Sequence, residues 1–386
     1  MLSLPLALAA AATVLPSPEL EISRAFQRAQ AEVQAIRRDE SRDPDRWKFP
    51  SEGGRNNLFF WEFKYFSFRG ETVSGNIAFF TVAPFWSGKM IALAHIYSNG
   101  EMQSYRKIVD LNCVKGSPRS ASLTLCGGDG IEALAPDRYR LTLKVGGVQW
   151  LLEFASTGGP GRLHRTPLDG RLVWEMFWQP VFIRGSVSGT IQSGREKVML
   201  SGAPAYHDQN WGRWNPAKHP YRWLRFSGVD SEGEEVDLLL ADFFENSSDH
   251  SSALILLRQG SSRTFKRGQY DFKVDSWGRA PTLRFSLYDE GENVEIRKVD
   301  SSFTTGDHNF PTAFSLKTKD HSLELTATTL VNAATGPDIP VIWKGLFKDF
   351  IIDLQQARVT LRFQDKSGKV RHAQGFAEFQ TVTRPD

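Results

Sequence analysis

The sequence lacks most of the residue patterns from which common catalytic centres are built. It has two cysteines and eight histidines, and no pair of histidines has a convincing metal-ligand spacing. It contains no glycine-rich phosphate loop, no Gly-x-Ser-x-Gly elbow and no His-Glu-x-x-His helix. Any chemistry is therefore expected to need no metal and no cofactor, and to rely on proton transfer and on shaping an apolar substrate.

A large excess of charge is also missing. The 386 residues carry 47 basic and 44 acidic side chains, which gives a net charge of +3 without any basic block. No nucleic-acid partner is therefore expected. Hydrophobic residues make up 40% of the chain and charged residues 24%, which is typical of a globular protein. The 27 Phe and 11 Trp residues favour strands over helices.

The cysteines and the N-terminus bear on the compartment. Cys113 and Cys126 could close one hairpin with a disulfide if the chain enters an oxidising compartment, or remain two buried thiols. The apolar run from Leu2 to Leu15 has the length of a signal-peptide core and is too short to span a bilayer. It could equally form a helix that packs on the body or lies on a membrane surface. The secretory route and peripheral membrane association both remain open.

Apolar periodicity divides the chain into four parts. Residues 1–17 are the apolar N-terminal segment, and residues 18–45 contain an amphipathic helix and a linker, because apolar side chains recur there at helical spacing. From Trp47 onward, short apolar segments alternate with Gly, Pro, Asn or Ser, which predicts many antiparallel strands. We therefore predict an all-β fold with a short N-terminal helix and two lipocalin-like barrels, at 46–205 and 206–386, each with room for one small ligand.

The most unusual segment is the polar run Tyr206–Gly212, near the junction of the two predicted barrels. A strand could not bury so many hydrogen-bonding side chains without partners, so we predict a loop here. Binding sites favour such junctions. The candidate site residues of this motif are Tyr206, His207, Asp208, Gln209, Asn210 and Trp211.

Two residues of the motif carry groups that can transfer protons. His207 is either an acid or base or a structural residue with satisfied hydrogen bonds. Asp208 is expected to cap a turn or to bind the backbone donors of the loop. We include both residues in the catalytic hypothesis, as groups that orient or relay a proton.

A further carboxyl lies on the strand after the next turn. Period-two alternation places Val236, Leu238, Leu240 and Asp242 on one face. Burial on this apolar face would raise the pKa of Asp242, as a general acid for an alkene, an epoxide or a carbonyl requires. If the strand ends one residue earlier, Asp242 is instead a solvated loop residue or a hydrogen-bond partner of Arg225.

Aromatic residues complete the predicted pocket. Trp178, Trp211 and Trp223 could line an apolar site and stabilise a cation with their π faces, or pack between the barrels. Glu175 is a second candidate for an inward carboxyl, and Arg225 is counted among the residues that contact the substrate.

One stretch of the chain resembles a known family. The run Ser201–Gly212 (SGAPAYHDQNWG), preceded by Phe177-Trp178-Gln179-Pro180 and Arg184-Gly185 and followed by the strand Tyr221–Phe226, resembles the central signature of the hydroxyneurosporene synthase (carotenoid 1,2-hydratase) family. Relatives of that family include fungal Diels–Alderases and related cyclases and isomerases. The resemblance implies two lipocalin-like barrels with the signature at their junction.

The same resemblance suggests roles for single residues. The hydratases carry Trp at the position of Trp211, and their proton donor is an Asp that Asp242 matches best. They usually carry His where this chain has Gln209, and Tyr where it has Leu240. These two departures favour rearrangement or cyclisation over hydration.

The expected function is that of a cofactor-independent isomerase or cyclase of specialised metabolism. It would bind a hydrophobic polyene, terpenoid or prenylated alkaloid between the barrels, with Asp242 as the acid. A carotenoid-type hydratase and a non-catalytic carrier of apolar ligands are the alternatives.

Overall fold

The computed structural model describes residues 45–49, 60–81, 88–98, 101–158, 164–167, 175–213, 219–243, 252–258, 261–280, 282–286, 291–298, 306, 308–338 and 351–383. Within these residues the chain is all-β, with one 3-10 turn at Leu111–Cys113, which confirms the predicted fold class. The predicted helix and the apolar N-terminal segment lie outside the described residues. No helix in the described part is long and apolar enough to cross a membrane.

The first of two curled sheets contains 13 of the described strands. They are β1 (Phe60–Arg69), β2 (Val73–Thr81), β3 (Lys89–Ser98), β4 (Glu101–Asp110), β5 (Lys115–Gly116), β6 (Leu123–Thr124), β7 (Gly130–Ala135), β8 (Arg138–Val145), β9 (Val148–Ser156), β10 (His164–Pro167), β11 (Glu175–Ser193), β12 (Glu196–Arg213) and β19 (Gly291–Lys298). The order is β19-β4-β3-β2-β1-β12-β11-β9-β8-β7-β6-β5, and β10 pairs with β11. One face encloses a core that includes Phe66, Tyr139, Trp150 and Phe154.

The second sheet contains 10 of the described strands. They are β13 (Tyr221–Asp230), β14 (Glu235–Asp242), β15 (Ser252–Arg258), β16 (Ser261–Lys266), β17 (Tyr270–Ala280), β18 (Thr282–Ser286), β20 (His308–Thr318), β21 (Leu323–Asp338), β22 (Ile351–Gln364) and β23 (Val370–Thr383). The order is β16-β15-β14-β13-β23-β22-β21-β20-β17, and β18 pairs in parallel with β21. Its own core includes Leu238, Leu240, Phe314 and Phe379.

The change from one sheet to the other falls between Arg213 and Tyr221. The single strand β12 therefore runs through the predicted barrel boundary at 205/206. Strand β19, from the second half of the sequence, pairs antiparallel with β4 and belongs to the first sheet. The sequence halves and the sheets thus do not coincide.

Period-two alternation explains the burial of the strands. In β8, Tyr139, Leu141, Leu143 and Val145 are buried and the residues between them are more exposed. Because successive side chains point to opposite faces, such a strand buries one row and exposes the other. Each fully buried large apolar side chain contributes roughly 1.5–3 kcal/mol.

The two cysteines form a disulfide beside the 3-10 turn. Cys113 and Cys126 are 13 residues apart, and their Cα atoms are 5.4 Å apart. Of the two predicted alternatives for these residues, the structure has the disulfide. The cross-link joins the turn after β4 to the loop after β6.

The sheets pack on each other through a third apolar cluster, which we call the inter-sheet layer. Hydrogen bonds cross it, from Tyr65 Oη to Glu378 Oε2 at 3.2 Å and from Ser74 Oγ to Gln356 Oε1 at 3.0 Å. The layer therefore brings polar groups of both sheets together. Its buried residues are Trp61, Tyr65, Ile91, Ile108, Met176, Trp178, Tyr206, Tyr221, Trp223, Leu239, Phe243 and Ile255.

Candidate functional site

The polar motif Tyr206–Gly212 is part of strand β12, so the expectation of a loop is wrong. The side chains alternate between two environments. Tyr206, Asp208 and Asn210 face the inter-sheet layer, and the side chains between them face the interior of the first sheet. Both faces supply hydrogen-bond partners from distant parts of the chain, which is why a strand can bury this run.

The neighbouring strand β11 is bulged opposite the motif. The pairing register shifts between Pro180 and Phe182, which lie opposite Asp208 and His207, and shifts again before Gly185. Proline has no N–H to donate to the ladder, so a bulge is a favourable place for it. Bulges change the direction of side chains and occur often beside active sites.

Asp208 is the central polar group on the inter-sheet face. Its Oδ2 accepts hydrogen bonds from Trp178 Nε1 and from Tyr206 Oη, both at 2.9 Å. Its Oδ1 accepts one from Asn210 Nδ2 at 3.1 Å. The side chain is buried, so both oxygens are held by protein donors and their positions are set by three neighbours.

Burial raises the pKa of Asp208 to about 7, although the hydrogen bonds from Trp178, Tyr206 and Asn210 lower it and the charge of Glu378 raises it further. Desolvation disfavours the charged form and here outweighs the donors. The indole and the amide nitrogen can only donate. When Asp208 is protonated, its own O–H must therefore be directed to the Tyr206 oxygen or to a molecule beside it.

A cavity of about 20 Å³ adjoins Asp208. This is enough for one water molecule. Its lining combines hydrogen-bonding groups with aromatic faces from both sheets. The lining residues are Phe63, Tyr65, Asp208, Asn210, Tyr221, Trp223 and Gln380.

Aromatic rings surround this carboxyl. Trp223 packs edge-on against Tyr65, with ring centroids 5.5 Å apart, and at a tilt against Tyr206 at 5.8 Å. The Nε1 of Trp223 has no hydrogen-bond partner among the described residues. Such rings can attract a cation through their negative faces. Trp178 and Trp223, both predicted from the sequence, thus lie beside Asp208.

Arg225 lies on the same layer, further along β13. Its guanidinium sits over the Tyr206 ring at 4.8 Å and donates from Nη1 to Ser67 Oγ at 3.2 Å. Its Nη2 lies 3.5 Å from the Ala205 carbonyl oxygen. Arg225 therefore contacts the motif directly and is not a partner of Asp242.

The other face of the motif belongs to the interior of the first sheet. His207 stacks on Phe66 at 3.8 Å, and its Nδ1 lies 3.0 Å from the Tyr65 carbonyl oxygen. Its Nε2 lies 3.2 Å from Asp45 Oδ1. His207 and Asp208 are adjacent in sequence but have separate partners on opposite faces.

A buried ion pair accompanies His207. Lys64 Nζ is 2.5 Å from Asp45 Oδ1, and the lysine side chain is completely buried. Burial acts to raise the pKa of Asp45, but the charges of Lys64 and His207 hold it well below its usual range. These contacts anchor residues 45–49 inside the first sheet.

Gln209 takes part in the same anchor. Its Nε2 donates to Glu62 Oε1 at 2.7 Å and to the Arg46 carbonyl at 2.8 Å. Glu62 also accepts from the backbone N–H groups of Lys48 and Phe49 at 2.8–2.9 Å. Burial raises the pKa of Glu62 to about 7, against the lowering effect of Lys64.

Sequence reasoning missed Lys64 and Glu62, although a signal was present. In the strand FWEFKYFSFR, both charged residues share the alternating face of Phe60, Phe66 and Phe68. A Glu and a Lys on a face otherwise made of Phe side chains must find buried partners. It also missed Tyr65, Tyr221 and Glu378, which face Asp208 from strands far apart in sequence.

Asp242 is buried but lies elsewhere. The predicted alternation of β14 is present, and Asp242 shares its face with Leu238 and Leu240 in the core of the second sheet. Its Oδ2 accepts an ion-paired hydrogen bond from Arg222 Nη2 at 2.6 Å. The structure therefore places Asp242 opposite Arg222, on the face of β14 that points away from Asp208.

Two other predicted residues are also separate from Asp208. Trp211 stacks on Phe177 at 5.2 Å, and Lys48 Nζ lies over its ring at 4.8 Å, inside the first sheet. Glu175 begins β11, and its backbone pairs with Arg213; its side chain is outside what the structure describes. Among the described residues, no group of three or more His, Cys, Asp or Glu side chains is placed to hold a metal ion.

Solved structures of other proteins have a similar fold. No protein-family model and no curated protein sequence matches the chain. Kievitone hydratase from Nectria haematococca superposes with a TM-score of 0.52 at 11% identity, over 89% of this chain and 94% of that one. A Nitrosomonas europaea protein designated AttH gives 0.50 at 16% identity, over 86% and 96%. CghA bound to Sch210972 gives 0.48 at 10% identity, over 86% and 90%.

At these identities the first two superpositions show a common fold. They agree with the two-barrel layout that the motif resemblance implied. The fold expected from the resemblance of the motif Tyr206–Gly212 is therefore the one that the chain shares with these two proteins.

Proposed function

We propose that the protein is a cofactor-independent enzyme that uses Asp208 as a Brønsted acid on an apolar, unsaturated substrate. Because the cavity beside Asp208 is only about 20 Å³, the substrate reaches the carboxyl by separating the packed side chains of the inter-sheet layer. The reaction is an isomerisation or cyclisation of a polyene, terpenoid or prenylated compound. The observation that carries the proposal is a buried carboxyl with a pKa of about 7, fixed by three donors and walled by aromatic rings. A general acid works best when its pKa is close to the working pH.

In this mechanism the proton of Asp208 passes to a substrate double bond or carbonyl. The carboxylate that remains is stabilised by the hydrogen bonds from Trp178, Tyr206 and Asn210. The developing cation lies against the faces of Tyr65 and Trp223, which are packed at 5.5 Å. Loss of a proton from the rearranged cation back to Asp208 restores the acid and leaves a product of unchanged mass.

Hydration is the second candidate, and two observations favour it. The cavity beside Asp208 has the volume of one water molecule, and kievitone hydratase shares the fold. A water in that cavity would capture the cation and give a product heavier by one water. The same acid therefore serves both reactions, and the fate of the cation separates them.

The test compares Asp208→Asn with Asp242→Asn. Each variant is incubated with an apolar extract of the producing organism, and the products are analysed by mass spectrometry, with circular dichroism to verify the fold. We expect Asp208→Asn to lose activity by about 100-fold or more, the usual contribution of a general acid, and Asp242→Asn to retain it. Equal mass identifies an isomerase or cyclase, and added water a hydratase.

Two outcomes would contradict the proposal. A folded Asp208→Asn variant with wild-type turnover would exclude the acid role of that residue. Recovery of every ligand unchanged from the wild-type protein would favour the non-catalytic carrier.

A further inference from the structure

A second cavity, of about 420 Å³, opens between the two sheets at the other end of the inter-sheet layer. This volume lies in the range of small-molecule sites. Its apolar lining includes Phe68, Val229 and Phe376, and its charged lining includes Arg69 and Arg225. We call it the arginine cleft. The acid mechanism proposed for Asp208 does not use it.

Arg225 is incompletely partnered in this cleft. It is 8% exposed, and its Nε has no hydrogen-bond partner among the described residues. Its Nη1 donates to the Ser67 hydroxyl at 3.2 Å, and its Nη2 lies 3.5 Å from the Ala205 carbonyl oxygen. Within the described residues, no carboxylate oxygen lies within ion-pair distance of its guanidinium. A buried cation that has no carboxylate at ion-pair distance is costly.

Arg69 adds a second positive charge to the same cleft. Partial burial lowers the pKa of Arg69 to about 10; Glu378 opposes this shift and the nearby charge of Arg225 adds to it. The guanidinium packs on the Phe376 ring. No carboxylate of the described residues lies within ion-pair distance of Arg69 either. The two arginines therefore repel each other across the cleft.

Among the described residues, Glu378 is the one acid whose charge acts on both arginines. Burial raises its pKa, while Arg225, a hydrogen bond from Ser67 and the hydrogen bond from Tyr65 lower it. The third arginine of the cleft, Arg184, is already matched, because it forms ion pairs with Asp237 and with Glu235. Arg69 and Arg225 thus share a single nearby carboxyl, and it lies outside ion-pair distance of both guanidinium groups.

We propose that the arginine cleft binds an apolar molecule that carries one carboxylate, with the carboxylate between Arg69 and Arg225 and the apolar part against Phe68, Val229 and Phe376. The carboxylate supplies the ion-pair partner that Arg69 and Arg225 both lack among the described residues, and it accepts a hydrogen bond from the unpartnered Nε of Arg225. Guanidinium groups match carboxylate geometry through paired N–H donors. This site is independent of the reaction proposed for Asp208.

The test uses decanoate and its neutral analogue decanol as probes, with isothermal titration calorimetry on the full chain. We expect decanoate to bind about tenfold more tightly than decanol, which corresponds to one charge-assisted hydrogen bond. Arg69→Met and Arg225→Gln should each weaken decanoate binding by about tenfold and leave decanol binding unchanged. Arg263→Gln, at an exposed ion pair with Asp320, is the matched control and should change neither.

Arg69 ends β1 at the surface, so Arg69→Met keeps the test decisive even if Arg225→Gln does not fold. The proposal is overturned by equal binding of the two probes, by undiminished decanoate binding to Arg69→Met, or by no decanoate binding at all. Asp208→Asn should bind decanoate as the wild type does. Loss of binding in that variant would place the probe beside Asp208 and would also overturn the proposal.

Discussion

The protonation of Asp208 makes a measurable prediction about stability. Its pKa is about 7 in the folded protein against an ordinary value of 3.8, so between these values the folded state binds more protons than the unfolded state. The stabilising effect of the proton is present below about pH 4 and is lost as the pH rises through about 7. At about 1.4 kcal/mol per pKa unit, the upper limit of this loss is about 4 kcal/mol.

The variant Asp208→Asn cannot take up or lose this proton, so comparing it with the wild type tests the prediction. Glu62, whose pKa is also about 7, titrates in the same range in both proteins, so only the difference between them isolates Asp208. Urea unfolding near pH 5 and near pH 8 gives the two free energies of unfolding. We expect the wild type to lose roughly 2–3 kcal/mol more than the variant between these values, because the part of the effect below pH 5 lies outside this interval. An equal loss in both proteins would refute the protonation argument.

Tyr206→Phe should raise the pKa of Asp208 further, because it removes a hydrogen-bond donor to the carboxylate. The Tyr206 hydroxyl donates to Asp208 Oδ2 at 2.9 Å, and such a bond stabilises the carboxylate. Removing a hydrogen bond to a charged group costs about 1.5 kcal/mol or more, so the pKa of Asp208 should rise by about one further unit. Carbon-13 NMR of the aspartate carboxyl carbons, assigned by comparison with Asp208→Asn, measures it. A fall in that pKa would contradict the assigned donor.

Three further predictions concern buried charges and the cross-link. Lys64→Met removes the cationic partner of the buried Asp45 carboxylate, which keeps its contact with His207, and should lower the free energy of unfolding by about 3 kcal/mol in urea. Arg222→Met removes the ion-pair partner of the buried Asp242 carboxylate and should lower the free energy of unfolding by a similar amount without changing the titration of Asp208. Arg263→Met, at an exposed ion pair, is the control and should lower it by about 1 kcal/mol or less. Reduction of the disulfide, which closes a short loop, should cost about 3 kcal/mol; no change in the melting temperature on reduction would contradict this.

The strand pattern was predictable because burial alternates with period two. The alternation predicts a strand at Arg138–Val145, which are the bounds of β8. It also predicts a hairpin of strands at Phe59–Phe68 and Thr72–Val82, and β1 and β2 each begin and end within one residue of these bounds. The faces of β14 were also predicted, with Leu238, Leu240 and Asp242 on one side. Alternation is a local property, so a local pattern is sufficient to find it.

The partners of the buried polar groups were not predictable in the same way. Whether the polar motif on β12 forms a strand depends on Glu62 and on residues 45–49, which lie far away in sequence. The face of β14 that carries Asp242 was identified, but the core that covers this face was not. The sequence pattern does not show that Arg222 lies opposite Asp242 in the antiparallel register, because register is set by the whole sheet.

The alternation of side chains along β12 also changes the interpretation of Gln209 as a residue that determines the reaction. As the position where hydratases usually carry His, it was interpreted as evidence about the reaction. In the structure it faces Glu62 and the Arg46 carbonyl, on the opposite side of the strand from Asp208. A substitution at 209 therefore acts first on the anchor of residues 45–49 and reaches the inter-sheet layer only through the backbone of β12. In the mechanism that we propose, the choice between isomerisation and hydration is made on the face of Asp208, where the protonated carboxyl meets either a substrate atom or one water.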